Sequence, residues 1–381
     1  MLDGRVRLGE HFDWPLFIGT MLLLVVGVIN LYSATSVYTL SRADLYVGQV
    51  YFLVAGGALA AFVAAIDYRH IERFAYVLYA LCLVSLVVVL VFGRGVRGSA
   101  RWINIGAFGF QPSEFMKLGL TIALAKYFHN QQQRGDQPKR LREFVVPALL
   151  VGVPFVLILK QPDLGTALIN ALIFLSITAL QRIRWKSLLG LVGVVGVVVP
   201  LWYQRLEQYQ LKRIETFLNP EGDVTGAGYH AHHARIAIGN GGLFGQGYMK
   251  GTQNQYYFLP DQFSDFPFPV FAEDWGFVGA TVLILLYMFL VLWAIRIAVL
   301  AKDRFGSCVA IGVGGLIFWH AVFNLGMVTG LLPVVGVTLP LFSYGGSSVL
   351  TILMGTGLLL NISMRRPQLT TIRSERLPFA R

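Results

Sequence analysis

Three carboxylates, a lysine and an arginine stand out because their types and spacing could do chemistry. Gln111-Pro112-Ser113-Glu114-Phe115-Met116-Lys117 opens an apolar run and sets an acid and a base three residues apart. On a helix those two side chains share a face. An ion pair in such surroundings either fixes helix packing or faces a wet cavity where charge is used, and spacing alone leaves both readings open. Asp163, in Lys160-Gln161-Pro162-Asp163-Leu164-Gly165-Thr166, is placed either to cap the following helix or to join a site. Asp265 stands beside Ser264, between Phe263 and Phe266. A carboxylate in aromatic surroundings is either capped by its neighbours or kept for proton transfer. Arg101, with Trp102 beside it and Arg94 and Arg97 just before, suits an anionic headgroup, on a substrate or in ordinary lipid. Glu273 and Asp274 fit the N-terminus of a helix, where the dipole favours negative charge. His230, His232 and His233 are close together, but no cysteine or second histidine cluster completes a tetrahedral set. No phosphate-binding loop, dinucleotide fingerprint or Gly-x-Ser-x-Gly elbow occurs, which leaves ATP-driven pumping and esterase chemistry without support.

The elements that must position these groups are membrane spans. Of 381 residues, 55% are hydrophobic and 13% charged, about half the charged share of a soluble domain. From Phe305 to Met364 there is no Asp, Glu, Lys or Arg at all, enough for two spans of ~20 residues and a connection. Cys82 and Cys308 both sit in apolar runs and read as small core residues. The pattern predicts an all-α polytopic membrane protein with ten spans: 14–35, 47–66, 72–92, 111–128, 144–160, 164–181, 185–203, 271–297, 306–330 and 341–364. With the N-terminus in the cytoplasm, the inner segments hold 20 of the 31 lysines and arginines. Basic residues collect on the cytoplasmic side, so both termini are placed there. The net charge of +11 therefore reflects topology, and no nucleic-acid partner is expected.

Four regions follow: a membrane domain over 1–204, a large extracytoplasmic loop over 205–270, a second membrane domain over 271–364 and a basic cytoplasmic tail over 365–381. The loop is rich in aromatic and aliphatic residues, and long loops in compact proteins are usually functional. Its centre, Gly239-Asn240-Gly241-Gly242-Leu243-Phe244-Gly245-Gln246-Gly247, requires permissive backbone, as in tight turns or a re-entrant segment. This topology sets Arg101, Glu114, Asp163 and Asp265 on the outer side. A transporter, such as a flippase for a lipid-linked substrate, is the rival class. It is disfavoured because no inverted repeat is evident.

Longer motifs resemble the SEDS family (shape, elongation, division and sporulation proteins). They include Ser99-Ala100-Arg101-Trp102-Ile103, Phe110-Gln111-Pro112-Ser113-Glu114 and Gln161-Pro162-Asp163-Leu164-Gly165-Thr166-Ala167. Arg213-Ile214 with Phe217-Leu218-Asn219-Pro220, Gly228-Tyr229-His230 and Leu341-Phe342-Ser343-Tyr344-Gly345-Gly346-Ser347-Ser348 also match. Asn324-Leu325-Gly326-Met327-Val328 with Leu332-Pro333-Val334-Val335-Gly336 is similar to the elongation branch of the family. The resemblance implies a peptidoglycan glycosyltransferase that polymerises lipid II at the outer face of the bacterial cytoplasmic membrane. Its implied partners are a class B penicillin-binding protein, the elongation machinery and membrane lipid. It further implies catalytic roles for Asp265, Glu114 and Lys117, with Arg101, Trp102, Gln111, Ser113, Asp163, Arg213, His230, Ser343 and Ser347 at the substrate. No covalently bound cofactor is implied. A divalent cation, Mg²⁺ or Mn²⁺, is one candidate for neutralising the substrate diphosphate.

Overall fold

A computed structural model describes residues 12–36, 44–93, 101–105, 108–133, 141–181, 184, 189–190, 193, 208–219, 226–259 and 261–366. The expected span 185–203 lies almost wholly outside these residues, as do Arg94, Arg97, Pro220, Pro260 and the tail beyond Arg366. The remaining expected spans coincide with helices: α1 Trp14–Thr35, α2 Leu45–Ala65, α4 Ala75–Phe92, α5 Pro112–Gln133, α6 Val145–Lys160, α7 Leu164–Ala179, α11 Pro267–Leu300, α12 Arg304–Thr329 and α13 Gly346–Met364. Short α3 Tyr68–Arg73 links α2 to α4. The long loop supplies α8 Gln208–Leu218, α9 Ala227–Asn240 and α10 Thr252–Gln255. A small antiparallel hairpin, β1 Ile103–Ile105 with β2 Phe108–Phe110, pairs Ile103 with Phe110 just ahead of α5.

Hydrocarbon offers backbone groups no partner, so apolar segments of this length satisfy themselves as helices. Local signals set their ends. Asp13 caps α1 through Leu16 N–H, and Asp303 caps α12 through Gly306 N–H at 2.8 Å. Gly330, at φ 80°, closes α12 in the left-handed region. α13 is buried along nearly its whole length and packs closely on α2, where Gly357 comes against the Ala60 backbone with no room for a methyl group. α5 lies deep among α4, α7, α12 and α13, with Met116, Leu120, Ala123 and Leu124 fully buried.

α11 begins at Pro267, ahead of the expected start at 271, and breaks at Gly276, which has φ 66°. The glycine-rich centre of the long loop fills that break. Phe277 and Val278 donate to the carbonyls of Gly242 and Leu243, while Gln246 and Gly247 donate to those of Glu273 and Asp274. Glu273 and Asp274 are thus not first-turn dipole charges. Glu273 is fully buried and accepts from Thr252 Oγ1 and from Gln253 N–H at 3.1 Å each. Asp274 Oδ2 accepts from Ser33 Oγ at 2.5 Å. Both carboxylates anchor the loop, because burial at a kink leaves donors that must be satisfied.

Candidate functional site

Pro112 starts α5 at a position where a missing N–H costs nothing. One turn of helix then aims Glu114 and Lys117 to the same side. Lys117 Nζ lies 2.8 Å from Glu114 Oε1, and both side chains are buried. The ion pair expected from the spacing forms. Its third member was not expected: His320 of α12, whose Nε2 also lies 2.8 Å from Lys117 Nζ.

Glu114 and His320 line a cavity of about 500 Å³ together with Arg101, Trp102, Gln111, Asp163, Asp265 and Tyr344. The cavity is drawn from six separate stretches of chain, with Phe52 of α2 completing its lining. Asp163 Oδ1 caps α7 through Thr166 N–H at 3.2 Å, while its Oδ2 accepts from Gln111 Nε2 at 3.3 Å. It is both a helix cap and a cavity carboxylate. Arg101 Nε donates to the Gln161 carbonyl at 2.8 Å, and its terminal nitrogen donates to that of Pro162. This fixes the guanidinium over the α6–α7 turn. Asp265 sits on the cavity wall, enclosed by protein on its other sides. Its main-chain carbonyl accepts from Asn324 Nδ2 at 2.9 Å. Burial, reinforced by the Asp261 carboxylate, raises the Asp265 carboxyl to about 6, against the opposing pull of Arg213 and, more weakly, Arg101. A carboxyl near 6 is suited to take a proton at neutral pH.

The other expected residues lie apart from the cavity surface. Ser113 is fully buried and accepts from Gln111 Nε2 at 3.2 Å. Ser347 Oγ accepts from Gln111 N–H at 3.0 Å and donates to the Gly109 carbonyl, tying β2 to α13. Ser343 Oγ accepts from Leu339 N–H at 2.8 Å and closes the turn before α13. These three hydroxyls hold the wall. Arg213 lines a separate groove with Arg235, Thr216 and Gly330. His230 lies on α9 with its ring 5.8 Å from that of Phe266. His233 Nδ1 pairs with Gln253 Oε1 at 2.8 Å and stacks on Phe258. Among the described residues no three His, Cys, Asp or Glu side chains come together as metal ligands.

Fold and site together define a multi-pass membrane protein with an acid–base cavity set among its helices. The chain matches the model of the cell cycle proteins FtsW, RodA and SpoVE over residues 14–368. It is 37% identical over 357 residues to the peptidoglycan glycosyltransferase MrdB of Escherichia coli K12, covering 92% of this chain and 94% of that one. It is 39% identical over 363 residues to stage V sporulation protein E of Bacillus subtilis, covering 92% and 96%. Among solved structures it is similar to a chain of a peptidoglycan synthase complex that coordinates polymerization and crosslinking. That match has a TM-score of 0.79 and 32% identity, and covers 94% of this chain and 99% of that one. Rod shape determining protein RodA of Thermus thermophilus matches with a TM-score of 0.70 and 31% identity, covering 94% and 98%. The chain belongs to the FtsW/RodA/SpoVE (SEDS) family.

Proposed function

We propose that this protein is a peptidoglycan glycosyltransferase that polymerises lipid II during cell elongation, with Asp265 as its general base. The observation that carries the reading is that Asp265 shares one cavity with Arg101, Glu114 and Asp163, beside the buried Lys117. In the reaction an acceptor sugar hydroxyl attacks the anomeric carbon of the donor. The new C–O bond forms as the bond to the lipid diphosphate breaks, and the electron pair leaves with the diphosphate. Asp265 takes the hydroxyl proton as attack proceeds. Since base and leaving group lie on opposite faces, the anomeric centre inverts. The departing diphosphate needs positive charge fixed beforehand, and Arg101 and Lys117 supply it.

Glu114 balances Lys117, and its Oε2 is buried without a hydrogen-bond partner. A divalent cation held mainly by the diphosphate fits there, with Glu114 as a protein ligand, because Mg²⁺ is commonly bound by one or two carboxylates plus substrate phosphates. The protein works at the outer face of the bacterial cytoplasmic membrane with both termini inside, alongside a class B penicillin-binding protein that crosslinks the product. Similarity to a chain of a complex that joins polymerization to crosslinking supports that pairing.

The test is polymerisation of purified lipid II by the full-length protein, with and without the partner. Asp265→Asn is expected to remain folded and membrane-inserted while making no glycan. Full activity in that variant rejects Asp265 as base. Movement of lipid II across sealed vesicles with no glycan product favours the transporter class.

A further inference from the structure

A lysine ammonium is a point charge on a flexible four-carbon stem, so one partner fixes its distance but not its position. Lys117 has two partners from different helices: Glu114 Oε1 one turn back on α5, and His320 Nε2 across the interface on α12. The ring's other nitrogen, Nδ1, lies 3.0 Å from the Thr338 carbonyl oxygen. A carbonyl oxygen only accepts, so Nδ1 carries the hydrogen and Nε2 presents its lone pair. That lone pair accepts from the Lys117 ammonium.

The same face of α12 also reaches Asp265. Asn324, one turn beyond His320, donates from Nδ2 to the carbonyls of both Val337 and Asp265, at 2.7 and 2.9 Å. Segment 336–338 therefore receives His320 at Thr338 and Asn324 at Val337. At Gly336 it meets the carboxylate itself: a methyl group there would lie 3.4 Å from Asp265 Oδ2. The imidazole sits where the Lys117 end of the cavity is joined to the Asp265 end.

We propose that His320 is a positioning residue for glycosyl transfer, holding the Lys117 ammonium against Glu114 in fixed register with Asp265. Both ring nitrogens are committed to protein, so His320 acts through Lys117 and takes no proton from substrate. This inference rests on the glycosyltransferase reading, which supplies the anion that Lys117 serves.

Two substitutions separate the ring's two contacts. His320→Gln keeps an acceptor near the Nε2 position and loses the Nδ1 donor. His320→Asn keeps a donor near Nδ1 and loses the acceptor for Lys117. With purified full-length protein and lipid II, His320→Asn is expected to lose roughly 10²-fold in kcat, the scale set by misplacing a catalytic group, with KM little changed. His320→Gln is expected to retain most of the rate. Equal rates in the two variants, or the better rate in His320→Asn, overturn the proposal. A second measurement needs no turnover. Acetic anhydride modification of Lys117, read by peptide mass, is expected to rise several-fold in His320→Asn and to stay at the wild-type level in His320→Gln. Equal modification also overturns it. If wild-type protein makes no glycan, the functional reading falls, while Lys117 modification still decides the role of His320.

Discussion

Asn324 holds Asp265 by its main chain, not by its carboxylate: Nδ2 reaches the Asp265 carbonyl oxygen at 2.9 Å and, with its other hydrogen, the Val337 carbonyl at 2.7 Å. One amide thus joins the end of the long loop to the segment before α13. The carboxylate is left to the cavity, and its backbone is clamped to α12. A general base needs this combination, because its reach must be fixed while its lone pairs stay available.

Removing that amide tests the clamp. Asn324→Leu keeps similar bulk and leaves two buried carbonyls without their donor, a loss of roughly 1–3 kcal/mol for a buried group left unpaired. We expect a lower unfolding temperature in detergent and a marked fall in polymerisation rate at saturating substrate. Unchanged kcat would show that Asp265 is positioned by other contacts.

The acidity of Asp265 gives a pH prediction with a definite sign. Its carboxyl is raised to about 6, first by burial and then by Asp261, with Arg213 pulling the other way. A base must be ionised, so activity should rise with pH through about 6 and level off above it. An ordinary aspartate would place that rise near 4. Asp261→Asn removes a repelling charge and should move the acidic limb to lower pH. Arg213→Gln removes an attracting one and should move it higher. The check is kcat/KM against pH for the three proteins. Parallel shifts in both variants, or none, would count against Asp265 as the titrating group.

The sequence made the cavity's charged members legible because charge inside an apolar span costs free energy and demands a reason. Glu114 and Lys117 are visible on that ground, whereas Asp163 and Arg101 stand out in connections between spans, as a candidate helix cap and as a base on the side poor in them. Nine of the expected spans coincide with helices, and among the described residues seven helices are long and apolar enough to cross a membrane, because apolar runs of that length have few alternatives. His320 goes unmarked within the uncharged stretch from Phe305 to Met364, and Asn324 enters only as part of a family motif with no role attached, because neither changes a charge count. The signal was present all the same, as an imidazole and an amide four residues apart on one face of a spanning helix. Glu273 was misread because a carboxylate near a span's start resembles a dipole partner. Only the break at Gly276 reveals the loop donors that it satisfies. The serines of the Phe342–Ser348 stretch came from family resemblance, which marks importance without separating a wall from its supports.

The Glu114–Lys117 pair is enclosed on both partners, so breaking it leaves an uncompensated charge. Such losses run to roughly 3–5 kcal/mol. Glu114→Gln and Lys117→Met should each lower the yield of folded protein and abolish polymerisation. Their combination should recover stability, since no lone charge remains, while activity stays absent. A double variant that regains turnover would reduce the pair to packing, and the comparison requires only thermal unfolding and the lipid II assay on the same preparations.

The loop anchor offers a prediction remote from the chemistry. Gly245 has φ 84°, and a methyl group on it would overlap the Asp274 carbonyl oxygen at the α11 break. Neither the backbone angle nor the space can be recovered by a side-chain rotation, so Gly245→Ala must displace residues 241–247 from the Gly276 kink. That displacement frees the loop donors to the Glu273 and Asp274 carbonyls and unseats the support for α10. Asp265 follows the same loop to its end, so the expected outcome is a less stable protein with reduced glycan synthesis and faster proteolysis within 241–258. Gly239→Ala is the matched control, because nothing in the structure crowds a methyl group there and the residue is helical. It should leave both stability and activity near wild type. Equal behaviour of the two alanine variants would mean that the kink tolerates the loop's departure.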